Sequence, residues 1–354
     1  MRMIKKSVLF LCTIALLSAC TQKNTSEVTR DKKQTDAVTS TIANQSGDYR
    51  MLFIDGKYRT SSTRGYTLEL ATVENISAFE IGLMNLSKSE FNPSQFYFIE
   101  GQFITNEEIN HWLAVKSQEN PNGLNSKQEN NMLISTILEQ DYMILNNGNY
   151  EFSGVSIGLA LNPKTTASAT LTDEELLAKG KEIVNQLLPL LRAKEGFDSI
   201  PIMFGLFKQS VDNGLSHGTY FATATSNSGT SVSKWSNTKL QKRVFPLETD
   251  KTEESSVFIA FKRNVEKFFP NLNGIVGNAT FTDGAMSELD IKITTQFYGQ
   301  AEMIAFEQFL VEQAGMTYSA SELSVKIRVE TVRGTELVVY KRAGENTYHS
   351  IVLN

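Results

Sequence analysis

"SGVSIGLALN" (153–162) is a short, nearly continuous apolar run, the pattern of a buried β-strand. The stretch "TDEELLAKGKEIVNQLLPLLRAKEG" (172–196) follows it with a different period. Thr172 and Glu175 stand at capping-box spacing, where each side chain satisfies the other's backbone N–H. Leu176, Ile183, Leu187 and Leu190 then form one helical face. Pro189 should kink this helix, and Gly196 should stop it. "IPIMFGLFKQS" (200–210) is a second buried strand and "HGTYFATATS" (217–226) a third. Strand, helix, strand, strand predicts a sheet covered on one face by a helix.

Toward the N-terminus, Ile76, Phe79, Leu83 and Leu86 recur at helical spacing over 75–88, with Ile81 and Met84 widening the face. "QFYFIEGQFIT" (95–105) reads as two short strands around Glu100-Gly101. Asn106 is the expected N-cap of a helix that carries two acids in its first turn. A loop rich in turn formers (120–131) leads to an expected helix containing Leu133, Ile137 and Leu138. Toward the C-terminus, the long polar segment 226–255 is either a connector or an excursion. A helix over 256–272 comes next, then a strand pair turning at Asp283-Gly284. An amphipathic helix follows, ending at Gly315. A hairpin about Arg333-Gly334 places Val325, Ile327 and Val329 on one face, and 347–354 adds a last strand. The expected fold class is α+β, with antiparallel or mixed sheets covered by helices in two loosely similar lobes, 47–225 and 256–354.

The composition is that of a soluble globular chain: 354 residues, 41% hydrophobic and 21% charged. Formal charge is −5, and removing the three cations Arg2, Lys5 and Lys6 of residues 1–19 leaves −8 from Cys20 onward. No basic footprint of a nucleic-acid binder is present. Both cysteines, Cys12 and Cys20, precede the folded part, so neither disulfide nor thiol chemistry is expected in it.

Those first residues form a pattern of their own. "MRMIKK" is a positive n-region, and "SVLFLCTIALLSA" (7–19) is apolar over about thirteen residues. That is short for a membrane span and right for a signal-peptide core. Leu17, Ser18, Ala19 and Cys20 make a lipobox, with cleavage expected between Ala19 and Cys20 and a diacylglycerol on the Cys20 thiol. Two acyl chains suffice for stable anchoring. Residues 20–46 then read as the lipidated cysteine and a disordered tether, spanning on the order of 25–30 Å. The body, 47–354, would sit on the outer face of the membrane.

Candidate chemistry in the body is sparse. His111, His217 and His349 are far apart in sequence, and none has a partner at metal-ligand spacing. Ser231 and Lys234 match S-x-x-K, without the companion elements such a dyad needs. Tyr97, Phe98 and Phe103 suit a core better than a ligand pocket. Gln300 and Glu302, after Gly299, could face a cleft. No cofactor, no metal and no enzyme activity are expected. A cell-wall hydrolase or transferase is the weakest of the functional classes, and a close Ser231–Lys234 pair in a cleft would be its mark.

Several stretches carry a family resemblance: "GDYR" (47–50), "GLMNLSKSEFNPSQFYFIEGQF" (82–103), "ILEQDY" (137–142), "GVSIGLALN" (154–162), "IPIMFGLFKQS" (200–210) and "YGQAE" (298–302). Taken in order over 47–354, the chain resembles the CamS family of Gram-positive lipoproteins, the sex-pheromone precursors. The resemblance implies that a peptide from the signal sequence is the pheromone. Signal peptidase II would cut before Cys20 and a membrane protease would trim the remnant. The product would be Thr13, Ile14, Ala15, Leu16, Leu17, Ser18 and Ala19, with or without Cys12. A plasmid-bearing donor cell would sense it and begin a conjugative response. Thr13, Ala15 and Ser18 make this peptide smaller and more polar than the family's bulkier ones. Each large apolar group missing from a receptor pocket costs roughly 1.5–3 kcal/mol. The alternative is an extracytoplasmic lipoprotein whose body binds a ligand, peptide or envelope component.

Overall fold

A computed structural model describes residues 37–39, 47–67, 70, 73–127, 132–164, 170–210, 218–247, 250–268, 272–296 and 299–353. Residues 1–36 lie outside the described residues, and with them the whole lipobox and Thr13–Ala19.

The first lobe begins with β1 (Ala37–Thr39), β2 (Arg50–Ile54), α1 (Arg64–Thr67), α2 (Val73–Ser87), β3 (Phe96–Glu100) and α3 (Asn106–Leu113). It continues through β4 (Ile134–Asn146), β5 (Asn149–Leu161), α4 (Asp173–Arg192), β6 (Ile202–Lys208), β7 (Thr219–Ser226) and β8 (Ser236–Asn237). The second lobe holds β9 (Leu240–Phe245), α5 (Glu253–Phe268), β10 (Leu272–Thr282), β11 (Ala285–Thr295) and α6 (Gln300–Thr317). It closes with β12 (Ser324–Thr331), β13 (Gly334–Lys341) and β14 (His349–Val352). An eight-stranded mixed sheet runs β1 to β8 in order, and a six-stranded mixed sheet runs β14 to β9. The α+β class and the presence of two lobes are as the sequence predicts, but β1 lies inside 20–46, read as a disordered tether, and the two sheets meet between β8 and β9 instead of ending at 225 and beginning at 256.

Helix α4 begins at Thr172 with the expected capping box to Glu175. It buries Leu176, Ile183, Leu187 and Leu191 against Val155, Ile157 and Leu159 of β5 and Phe204 and Leu206 of β6. The opposite face of this sheet is covered too, by α2. Phe79 and Leu83 pack there on Ala160, Phe207 and Tyr220. The expectation of one covered face is therefore corrected to two. That explains the unbroken apolar run of β5: a strand covered on both sides has no solvent side on which to alternate.

Four local expectations also change. Leu133, Ile137 and Leu138 belong to the lead-in and body of strand β4, not to a helix. Asn147 and Gly148, both at positive φ, turn β4 directly into β5 with Asn146 opposite Asn149. Asn-Gly is the residue pair a two-residue hairpin turn prefers. β3 has no partner strand after Glu100-Gly101. The next three amides are taken by side chains instead: Gln102 N–H by Asp141 Oδ2 at 2.8 Å, and Phe103 and Ile104 N–H by Glu139 Oε2 at 3.1 and 2.9 Å. The N-cap of α3 is Thr105, one residue before Asn106, in a capping box with Glu108. Ile81 does not widen the buried face of α2 but is 55% exposed. Segment 226–255 carries β8, which ends the first sheet, and β9, which pairs with Gly277–Thr282 of the second.

In the second lobe Asp283-Gly284 makes the turn between β10 and β11, both at positive φ. α5 and α6 cover one face, burying Phe258, Phe261, Phe306 and Leu310 against Ile291, Ile327 and Val329. The other face carries a charged ladder. Asp290 pairs with Lys326 at 2.9 Å and Arg328 at 3.2 Å, and Lys292 pairs with Glu330 at 2.7 Å.

Candidate functional site: the cleft beside helix α2

Glycines on helix α2 and on strands β5 and β6 leave room for the Tyr220 ring between helix and sheet. A Cβ on Gly82 would meet the Tyr220 ring at 2.9 Å, and one on Gly205 would meet it at 2.8 Å. A Cβ on Gly158 would come within 2.7 Å of the Tyr220 hydroxyl. The ring fills this slot, stacks on Phe79 and donates its hydroxyl to the Phe79 carbonyl at 2.9 Å. With Phe79 and Leu83 turned to the sheet, the stripe Ser77, Ile81 and Asn85, four residues apart, is left exposed.

That stripe forms one wall of a cavity of about 380 Å³ between the lobes. The other wall comes from β9, β10 and β11, on the face of the second sheet that no helix covers, and includes Lys242, Asn278, Thr280, Glu288 and Asp290. The Lys242 ammonium donates to Thr280 Oγ1 at 2.6 Å, and that hydroxyl donates to Glu288 Oε2 at 3.2 Å. Burial pushes the Lys242 pKa down, while Glu288 and Asp290 hold it up. Asn278 Oδ1 is buried without a hydrogen-bond partner among the described residues. The cleft thus offers an ammonium, two carboxylates, hydroxyls and a free amide acceptor above the apolar edge of Ile81. Such a mixture suits a polar ligand held by several directed hydrogen bonds.

A smaller cavity of about 240 Å³ lies on the other side of Ile81, between α1, α2 and strands β2 to β4. Phe98 lines it, whereas Tyr97 and Phe103 are core residues of the α4 side.

The remaining candidates are scattered. His111 sits on α3, and its carbonyl accepts from Asn120. His349 is on the edge strand β14, 3.5 Å from Glu345. His217 lies outside the described residues. No three His, Cys, Asp or Glu side chains stand together as a metal site among the described residues. Ser231 and Lys234 are exposed in the segment before β8 and line neither cavity. Glu302 does not face a cleft. Its carboxylate accepts the Gly299 N–H at 3.1 Å and so caps α6. Sequence reasoning passed over Lys242, Asn278, Glu288 and Asp290, whose one available signal was the polar alternation of β9 to β11.

A two-lobed α+β body with an interlobe cleft is the class of protein that this architecture defines. Within it the chain belongs to the CamS family: the sequence model described as "CamS sex pheromone cAM373 precursor" matches residues 58–347. The chain is similar to the crystal structure of a sex pheromone precursor from Lactobacillus salivarius subsp. salivarius, with 30% identity and a TM-score of 0.81. That match covers 90% of this chain and 99% of the other. It is also similar to the C-terminal domain of the sex pheromone staph-cAM373 precursor from Staphylococcus aureus, with 26% identity and a TM-score of 0.65. Here 80% of this chain and 98% of the other are covered. No curated protein matches it. Among the described residues no helix is long and apolar enough to cross a membrane.

Proposed function

We propose that the chain is a lipid-anchored pheromone precursor with two products. The remnant Thr13–Ala19 is released outside the cell as a mating signal that induces plasmid conjugation. The body from Cys20 stays on the outer face of the cytoplasmic membrane through its diacylglyceryl cysteine. Membership of the CamS family carries this reading, and it is supported by a lipobox in register with the n-region and apolar core of residues 1–20. Signal peptidase II and a trimming membrane protease are the partners it requires. Mass spectrometry of culture filtrate should find a peptide ending at Ala19, and synthetic TIALLSA should trigger mating in responsive donor cells. Cys20→Ala should abolish both lipidation and peptide release. A variant that still carries lipid, or an inert peptide, would sink the corresponding half of the reading.

The interlobe cleft favours a second role for the body, as a module that binds a polar component of the cell envelope. Its convergent groups, Lys242, Asn278 and Glu288, are the support. Lys242→Ala should weaken cosedimentation of the body with purified cell walls. Equal sedimentation of variant and parent would remove the cleft from consideration.

A further inference from the structure

The smaller cavity beyond Ile81 has two different ends. One is apolar, formed by Met51, Met84, Phe98 and Leu138. The other is lined by three acidic residues: Glu139, whose Oε2 is held by the Phe103 and Ile104 amides, and Glu100 and Glu80, whose carboxylates are in unlike circumstances. Glu100 is fully engaged: its Oε1 accepts from the Tyr58 hydroxyl at 2.6 Å and from Arg64 Nη1 at 3.0 Å, and its Oε2 accepts the Ser61 N–H at 2.8 Å. Arg64 therefore neutralises Glu100. Glu80 has no cation within ion-pair distance among the described residues, and its side-chain contact is the Thr67 hydroxyl at 3.4 Å. Burial pushes its carboxyl above the ordinary range. Arg64 is the one cation among the described lining residues; it is hydrogen-bonded to Glu100 and acts on Glu80 only from beyond ion-pair distance, against the effect of burial.

A half-buried carboxylate with no directly bonded cation is stabilised by taking a proton or by meeting a cation from outside. Gln140 makes no hydrogen bond to the Glu80 carboxylate: its amide donates to the Glu80 carbonyl and its oxygen accepts from Tyr142. A bare metal ion is a poor match. One uncommitted carboxylate and a hydroxyl are fewer ligands than such ions require, and the walls opposite are thioethers, an aromatic ring and a leucine. Those walls suit carbon, and polarizable sulfur and aromatic faces also tolerate a nearby positive charge. At about 240 Å³ the space takes a group the size of one side chain rather than a whole peptide.

We infer that this cavity is a binding site for an organic ammonium on a short apolar stem, with Glu80 as counterion and Met51, Met84 and Phe98 around the stem. The ammonium could be borne by a side-chain-type amine or by the free amino terminus of a peptide, and the chemistry recognised is the same. The site is separate from the interlobe cleft and does not depend on what that cleft binds.

The test uses the full chain labelled with ¹³C-methyl methionine and titrated with two amines, pentylamine and leucinamide. Their neutral counterparts, 1-pentanol and N-acetylleucinamide, serve as controls. At least one amine should shift the methyl signals of Met51 and Met84, with the neutral counterparts weaker. The tighter amine identifies the source. Glu80→Gln should weaken the amine by about 10–100-fold, the contribution of a hydrogen bond to a charged group. Met84→Lys provides an independent check. It places an internal ammonium four residues after Glu80 on the same helix, a favourable ion-pair spacing, and should block the added amine while the protein stays folded. Lys242→Ala should leave amine binding unchanged. Neutral compounds binding as well as amines, a Glu80→Gln variant of unchanged affinity, or no binding of either amine at millimolar concentration would each overturn the assignment.

Discussion

Strands β4, β5, β6 and β7 with α4, and strands β10, β11, β12 and β13 with α6, follow the same path. Each is an antiparallel hairpin, a crossover helix, a parallel pairing and a second antiparallel hairpin. Their sequences look different. β5 is buried without a break from Gly154 to Leu161, whereas β11 alternates buried positions with partly or fully exposed ones from Leu289 onward. Topology does not account for this, since it is shared. The difference lies in what covers the second face. In the first lobe α2 covers it, let in by the glycines around Tyr220. In the second lobe that face keeps its water and fills with paired charges. The outer stripe of α2 meets the near end of this uncovered face, and the cleft arises there.

Mutations on the two faces should separate the covered sheet from the open one. Phe207 and Arg328 both sit on the strand that follows the crossover helix, one under α2 and the other on the open face. Phe207→Ala should cost about 3–5 kcal/mol in urea unfolding, the usual loss for a buried phenylalanine. A loss below about 1 kcal/mol would mean that α2 is not a true second cover. Gly158→Ala tests the slot itself and should cost about 1–3 kcal/mol by overpacking. Because the new methyl would strike the Tyr220 hydroxyl, adding Tyr220→Phe should recover part of the loss. Additive losses would place the strain elsewhere.

The first lobe also carries a buried acid whose titration couples to folding. Burial raises Glu139 from the ordinary 4.5 to about 7, against the lowering effect of the Ile104 and Phe103 amides. The folded state therefore holds this proton more tightly than the unfolded chain. The stabilising contribution is complete at low pH and is lost as pH rises from about 4.5 through about 7. The slope is at most about 1.4 kcal/mol per pH unit. Glu139→Gln, which can still accept from both amides, should flatten unfolding free energy across that window. An unchanged slope would mean that another group titrates. The smallest effect is expected on the open face. Arg328→Ala should change stability by less than about 1 kcal/mol, because its partners Asp290 and Glu330 remain partly solvated.

Much of the fold is legible in the residues. The Thr172–Glu175 box, the Asp283-Gly284 turn and the alternation of Val325, Ile327 and Val329 each place their element, while the hairpin expected about Arg333-Gly334 turns one residue earlier, at Val332-Arg333. The helix expected at Leu133 shows the limit. Apolar residues at four- and five-residue spacing fit a helix as well as a strand buried on both faces, and only the Asn147-Gly148 turn separates the two. Ile81 fails for a related reason. Periodicity shows that a residue is apolar, not whether its neighbour is a core or a cleft. Glu80, Tyr58 and Glu100 could not be grouped, since up to 42 residues separate them and none forms a motif.

Near neighbours along the chain account for the caps, the turns, the strand and helix periods and the family to which the stretches from 47 to 302 point. The signal segment proposed for residues 1–20 rests on the same kind of local pattern, because such a segment is recognised as a linear peptide. Tertiary structure decided which sheet has one cover and which has two, that three glycines leave room for Tyr220 between α2 and the strands, and that a cleft and an acidic cavity lie on either side of Ile81. These depend on contacts between residues far apart in the chain. A one-dimensional pattern records how much surface each position buries, but not which partner buries it.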